Sequence, residues 1–452
     1  MHDLRRQALE SGKTVSRKAR SRMASGASSR AGSAVNSPGA SRAASRNASR
    51  ANSDDEEYLS DETNWSTNSI NGVLNGNGDD AEVPADAWKT ELNTRIEQIV
   101  NLKRSTTEGR AESLNAFAHI LMLRYARDQI ENRMSELLPS ILRSIRQETT
   151  LHETICALKA LCVVIVTLDS DDIYDKVADV LRRTISDSEL SAIKVGAIHA
   201  LSTAAFFGGT SEEEMEDIMS FFLEIVESDG LAVGAHDEAS VVTAALQGWG
   251  LLATEIEDME EATENAIEAF VDQLESADAG VQIAAGENIA LLYEKSYTPL
   301  EADEDVDEAD LDSEDEDQPN HGDRMVRRYT VWRRQDQLLH TLDELATIHG
   351  RGISKKDKKS LHSSFSDIRN SVEKPTRGPR YSTALDQETG RAYGGGRIKF
   401  KVNRNVEVRI DKWWKLQRLD ALRRVLQGGV PQHHSENDVV SRCLPFSVAG
   451  KH

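Results

Sequence analysis

Cysteine is scarce in this chain, with three residues in 452. Cys156, Cys162 and Cys443 form no CxxC pair and no even disulfide framework, which speaks against a disulfide-stapled fold and a zinc site and agrees with a reducing compartment. Long apolar runs are missing too. No stretch approaches the roughly 18 consecutive apolar residues that a membrane span needs, and the N-terminus lacks the apolar centre of a secretory signal. Aromatics make up only 5% and hydrophobic residues 38%, and the mean hydropathy is −0.51, so part of the chain holds too little apolar surface to pack. These absences predict a soluble, intracellular protein, long enough for two or three domains, with a core in only some of its length.

Charge is plentiful but unevenly placed. The formal net charge is −22 and the pI near 5.1, yet residues 1–50 carry many arginines and lysines against only Asp3 and Glu10. Acids without a single base fill "EADEDVDEADLDSEDED" (301–317), and from Arg324 to Arg424 basic residues outnumber acidic ones about two to one. Residues 1–85 are rich in Ser, Ala, Arg, Asn and Gly, with units such as "SRAASRNASRA", and are read as a disordered basic arm and linker. The arm shows no clear apolar face for a mitochondrial presequence. RNA contact or nuclear import suits it better, and Arg42 to Ser45 and Arg46 to Ser49 have the spacing of a basic-directed kinase site.

From about Asp86 to Tyr297 the periodicity is helical, and strands are not indicated: Leu137, Leu138, Ile141, Leu142 and Ile145 line one face. Aligning "ALKALCVVIV", "AIHALSTAAF", "VTAALQGWGL" and "GENIALLYEK" superposes Leu161, Leu201, Leu246 and Leu291 at intervals of 40, 45 and 45 residues. "LNAFAHILMLRY" adds Leu121 another 40 upstream, and each of these helices follows a second apolar helix. That is the period of HEAT or armadillo repeats, about 40–47 residues. The predicted fold class is therefore all-α: an armadillo/HEAT-like α-solenoid with a small basic C-terminal module and a disordered N-terminal arm. A generic helical bundle is the alternative. The expected domains are the arm (1–85), the repeats (86–350) with a solvated acidic insertion (299–322), the basic module (351–442) and a tail (443–452).

After the acidic insertion, "RMVRRYTVWRRQDQLLHTLDELATIHG" reads as one long helix from near Arg324 that caps the solenoid, closed by Gly350, with Leu338, Leu339, Leu342, Leu345 and Ile348 on its stripe. Lys355, Lys356, Lys358 and Lys359 lead into a helix presenting Leu361, Phe365 and Ile368. "RIKFKVNRNVEVRI" alternates with a two-residue period, which predicts two short extended segments. Gly394 to Gly396 lack the Lys-Ser or Lys-Thr ending of a phosphate loop and read as a hinge. Asp411 is placed to cap a helix starting at Lys412, whose stripe is Trp414, Leu416, Leu419, Leu422, Val425 and Leu426. Gly428-Gly429 and Pro431 end it, and a second short helix is expected from about Ser435. Basic side chains beside aromatics suit RNA without sequence readout; the alternative is that the tryptophans, Trp414 above all, are core anchors.

No nucleophile-base pair, metal spacing or phosphate loop is present, and His433-His434 fits neither HExxH nor a Cys/His zinc pattern. No enzyme, cofactor, metal, membrane or small-molecule substrate is therefore expected.

The repeats, "SKKDKKSLHSSFSDI" (354–368) and "DKWWKLQRLDALRRVLQGGVPQHHSEND" (411–438) together resemble the interferon-related developmental regulator family, as a divergent member. Lys355, Lys356, Asp357, Phe365, Asp367, Trp414, Gly429, His434, Glu436 and Asn437 match its pattern. Gly428-Gly429 replaces the usual Gly-Ser-Gly turn, Asn437-Asp438 alters the usual Asn-Glu, and the ending "SRCLPFSVAGKH" diverges. The resemblance implies an armadillo-like fold without enzymatic activity. It also implies two roles: ribosome association, in which a C-terminal helix occupies the RNA path, and nuclear transcriptional co-regulation.

On that basis the expected function is ribosome-associated translational repression, in the cytoplasm and also the nucleus. Lys355, Lys356, Lys358, Lys359, Arg397, Lys399 and Lys401 would neutralise ribosomal RNA phosphate, and Lys412, Lys415, Arg418, Arg423, Arg424, His433 and His434 would contact the RNA channel. Protein partners would dock on the solenoid surface. The alternative is a nuclear co-regulator that recruits such partners.

Overall fold

The computed structural model describes residues 86–101, 106–300, 324–347, 355–381, 397–402 and 406–445, without the side chains of 355–357 and 400. All of them fall in one compact unit, Asn64–His452. The expectations for the arm, the acidic insertion, Ile348, Gly350, the Gly394–Gly396 hinge and the 446–452 end of the tail lie outside the described residues.

The described residues are mostly helical, and the helices come in packed pairs. An inner row consists of α2 (Thr107–Leu123), α5 (Leu151–Thr167), α7 (Ser191–Phe207), α9 (Ala239–Ala253), α11 (Ala279–Lys295) and α13 (Lys355–Glu373), each packed on the next. An outer row, α1 (Ala87–Val100), α4 (Met134–Gln147), α6 (Ile173–Asp187), α8 (Glu212–Glu227) and α10 (Glu260–Gln273), pairs with it, and α12 (Gln335–Ala346) packs on α13. A four-residue α3 (Arg127–Ile130) precedes α4. The five leucines aligned by repeat, Leu121, Leu161, Leu201, Leu246 and Leu291, are all fully buried on inner helices.

Local chemistry sets several helix starts. Thr106, Thr150 and Asp278 accept hydrogen bonds from first-turn amides, and Ser211 forms a capping box with Glu214. A polar side chain at the fourth position of three inner helices then ties each pair together. Arg110 donates to Ile99 O (3.1 Å) and Ser140 O (2.7 Å) and pairs with Glu153 (3.0 Å). Lys194 Nζ donates to Ile185 O (2.7 Å) and Val233 O (2.6 Å), and Gln282 Nε2 to Leu274 O (2.9 Å). Apart from Ser140 O, which lies inside α4, the carbonyls so bonded are ones that a helix end or turn leaves unpaired.

The long helix expected from Arg324 is shorter than its periodicity suggests. Met325–Arg327 (β2) pairs antiparallel with Tyr297–Pro299 (β1), and helix begins only at Gln335. The competing strand pairing and the burial of Val326 and Val331 outweigh local helix propensity there. The two extended segments are present as β3 (Ile398–Lys401) and β4 (Glu407–Ile410), paired from Ile398↔Ile410 to Lys401↔Glu407. α11 packs on α13.

Candidate functional site: the C-terminal segment on the inner helices

Helix α14 (Trp413–Leu426) lies against α9, α11, α5 and α2, and α15 (Val430–Glu436) and α16 (Asp438–Cys443) follow it. α14 ends at Leu426, at the predicted Gly428-Gly429 stop, where Gln427–Gly429 form a one-turn 3-10 link, but Pro431 stands in the first turn of α15 rather than reinforcing the stop. A helix opening with proline costs nothing in hydrogen bonding, since its first amides have no internal acceptor.

Capping also differs from expectation. Asp411 accepts from Lys415 Nζ (2.7 Å), while the α14 N-terminus is capped from α11: Glu294 Oε2 accepts from Trp413 N (2.9 Å) and Oε1 from Trp414 N (3.2 Å). Two amides and a helix dipole converge on that carboxylate, and burial, opposed by Lys412 and these amides, leaves its pKa raised. Trp413 is the buried anchor, its Nε1 donating to Ser371 Oγ at 2.7 Å, whereas Trp414 is half-buried. Gln417 reaches Asn288 Oδ1 (3.4 Å), and Asn288 Nδ2 donates to Leu246 O (2.9 Å). Gly250 makes room for that pair, since a Cβ there would sit 2.2 Å from Asn288 Oδ1.

Farther along, Arg418 donates to Thr254 O (3.1 Å), Thr254 Oγ1 (2.9 Å) and Glu255 Oε2 (2.6 Å), and stacks on Phe206 and Trp414. His433 Nε2 bonds Leu121 O and His434 Nε2 bonds Leu444 O, both at 2.8 Å. A carbonyl only accepts, so both nitrogens carry hydrogen. Burial pushes the His433 pKa down and keeps the ring neutral. Asn437 Nδ2 donates to Val166 O (2.8 Å), fastening the far end to α5.

Beneath α14, charged groups from several helices meet. Burial, with Asp420 adding to it, raises Glu287 to about 8, and burial raises Asp367 to about 6. Burial also raises Asp420 and lowers Arg424, and it lowers His199 to about 3, helped by the Arg424 cation. The three cysteines are free and buried, with thiols pushed up to about 12, which leaves them protonated and poor nucleophiles. Among the described residues, no group of three or more His, Cys, Asp or Glu side chains is arranged to hold a metal. No described helix is long and apolar enough to cross a membrane. A cavity beside Tyr293, Tyr329 and Trp332 has about 40 Å³, room for a water or two rather than a metabolite.

The residues expected to meet RNA are thus divided. His433, His434 and Lys415 are buried, and Arg418 is spent on Thr254 and Glu255. Lys412, Arg423 and Arg424 are half-buried, Arg423 facing Asp420 at 3.7 Å. Arg397 donates to Pro379 O (2.8 Å) and stacks on Tyr381. Lys358 is half-buried, while Lys359, Lys399 and Lys401 are exposed, Lys399 beside Glu407 at 3.4 Å. The side chains of Lys355 and Lys356 lie outside the described residues. Sequence reasoning missed Glu294 and Asn288, and it singled out Asn437 by resemblance without foreseeing its contact with Val166 O. Polar residues inside the otherwise apolar "GENIALLYEK" were the available signal for the first two.

A sequence model of the family described as Interferon-related developmental regulator matches residues 51–373. An uncharacterized protein of Schizosaccharomyces pombe is 29% identical over 372 residues, covering 80% of this chain and 76% of that protein. Interferon-related developmental regulator 1 of Sus scrofa is 23% identical over 367 residues, covering 77% of this chain and 70% of its own.

Proposed function

The chain belongs to the interferon-related developmental regulator family, and from that premise we propose that it is a non-enzymatic regulator of gene expression whose helical repeats recruit protein partners, as a transcriptional co-regulator does. The paired helices and the 40–45-residue period support an armadillo/HEAT-like classification of those repeats. One observation carries the functional reading: the basic C-terminal segment is turned inward. Arg418 and His433 hold the segment to the repeats, and Lys415 and His434 are buried in bonds within it to Asp411 and Leu444 O, so these basic side chains are withdrawn from solvent, and an acidic scaffold beneath them repels nucleic acid and suits basic protein partners. The test is affinity enrichment of the full chain from nuclear and cytoplasmic extracts with and without nuclease. Nuclease-resistant protein partners in the nuclear extract are expected, and recovery of ribosomes alone would overturn the reading.

A second reading, ribosomal RNA contact with translational repression, is favoured by the exposed Lys359, Lys399 and Lys401. It predicts co-sedimentation with ribosomal subunits that salt weakens and that Lys399→Glu with Lys401→Glu abolishes. A protein that stays at the top of the gradient in all salts would end that reading.

A further inference from the structure

Among the described residues, Leu151, Leu190 and Leu231 are the large hydrophobic side chains most open to solvent, 43%, 45% and 61% exposed. They recur at nearly one repeat: Leu151 opens α5, Leu190 sits at the N-cap of α7, and Leu231 opens the 3-10 turn Leu231–Val233 before α9. Their turns lie side by side. Ser188 Oγ donates to Glu148 Oε2 at 2.9 Å, joining the first to the second, and Lys194 Nζ bridges Ser186 O (3.2 Å) and Val233 O (2.6 Å), joining the second to the third. Leucine is a poor residue for an N-cap, and Leu190 makes no side-chain cap bond. A residue that weakens its own helix and exposes apolar surface breaks two local rules at one place, as functional positions do.

The solvent-facing charges of the turns are acidic: Glu189, Asp229, Asp237 and Glu238 lie in them, Glu148 and Asp187 border them, and the turns contain no lysine or arginine, the one cation between them being the buried Lys194. Adjacent packed helices stand about 8–10 Å apart, and seven residues of an α-helix advance about 10 Å, so apolar side chains repeating every seventh position would meet the three leucines in turn.

We infer that these three turns form a docking ridge for a basic amphipathic helix of a partner protein, with apolar residues at heptad spacing on the leucines and lysines or arginines against the flanking carboxylates. The inference rests on the scaffold reading above and specifies its partner's chemistry.

A fluorescein-labelled 21-residue synthetic helix, leucine at heptad-spaced positions of one face and lysine elsewhere, titrated with the full chain by anisotropy, tests it. Binding is expected, weakened at least tenfold in a Leu190→Ser, Leu231→Ser double variant and equally by serine in place of the peptide's leucines, and abolished by glutamate in place of its lysines. Melting curves confirm that the variant remains folded, since serine suits the α7 N-cap better than leucine does. No binding, or binding within twofold in the variant, overturns the ridge. Nuclear partners that still co-purify with the double variant would overturn it too while leaving the scaffold reading intact.

Discussion

Gly429 offers a sharp test of how the C-terminal segment is held. A Cβ at this position would lie 1.7 Å from Met122 O and 2.7 Å from its carbonyl carbon, against a usual C···O contact of about 3.3 Å. Gly429→Ala therefore forces the link between α14 and α15 away from α2 by about 1.5 Å. The movement stretches the 2.8 Å bond from His433 Nε2 to Leu121 O beyond bonding range. Its cost is that of a buried donor and acceptor left unpaired, about 1–3 kcal/mol, plus overpacking of about 1–3 kcal/mol. Because the repeats bury their own leucines, this should appear as local release of α15 and α16, not as global unfolding. Hydrogen exchange of the Val430–Leu444 amides should rise by more than tenfold, and limited proteolysis should clip this segment first. Gly428 is the control: a Cβ there meets nothing within 4 Å, so Gly428→Ala should leave exchange unchanged. Equal protection in the two variants would refute the close-approach argument.

Other perturbations test the remaining contacts. Glu287, with its pKa raised from 4.5 to about 8, binds more protons folded than unfolded, so its contribution is full below pH 4.5 and is lost as pH rises toward 8; Glu287→Gln should flatten the fall in melting temperature between pH 5.5 and 8.5. His433 acts with the opposite sign. Its lowered pKa means that stability is lost as pH falls below 6.5, which exchange of the α15 amides at pH 5.5 against 7.5 should register. Lys194→Met leaves the carbonyls of Ile185, Ser186 and Val233 unpaired, and chemical denaturation should show a loss of about 3 kcal/mol. Leu190→Ser alone supplies an N-cap oxygen for α7 and should stabilise the chain by about 1 kcal/mol in the same assay, whatever it does to partner binding.

Helix content and repeat were legible because they depend on side-chain spacing along the chain. The five aligned leucines, the stripe at Leu361, Phe365 and Ile368, and the alternation in "RIKFK" each report which side of a local element is apolar, and each is buried or paired accordingly. Periodicity misled where a distant partner competed, as at Met325–Arg327, which pairs as a strand with residues 297–299.

The candidate site was much less legible. Lys415, Arg418 and His433 carry the composition of an RNA-contacting surface, and nothing local separates that use from donation to Asp411, Thr254 and Leu121 O. The sequence by itself determined the paired-helix repeat, the charge asymmetry and the existence of a tryptophan-containing terminal helix, because periodicity and composition are properties of neighbouring residues. Only the tertiary structure decided that this helix turns inward. That outcome depends on Glu294, more than a hundred residues away, offering a carboxylate to two amides, and on α9 and α11 being narrow enough at Gly250 to receive Gln417. Those are relations of position between remote residues, which spacing along a chain does not encode.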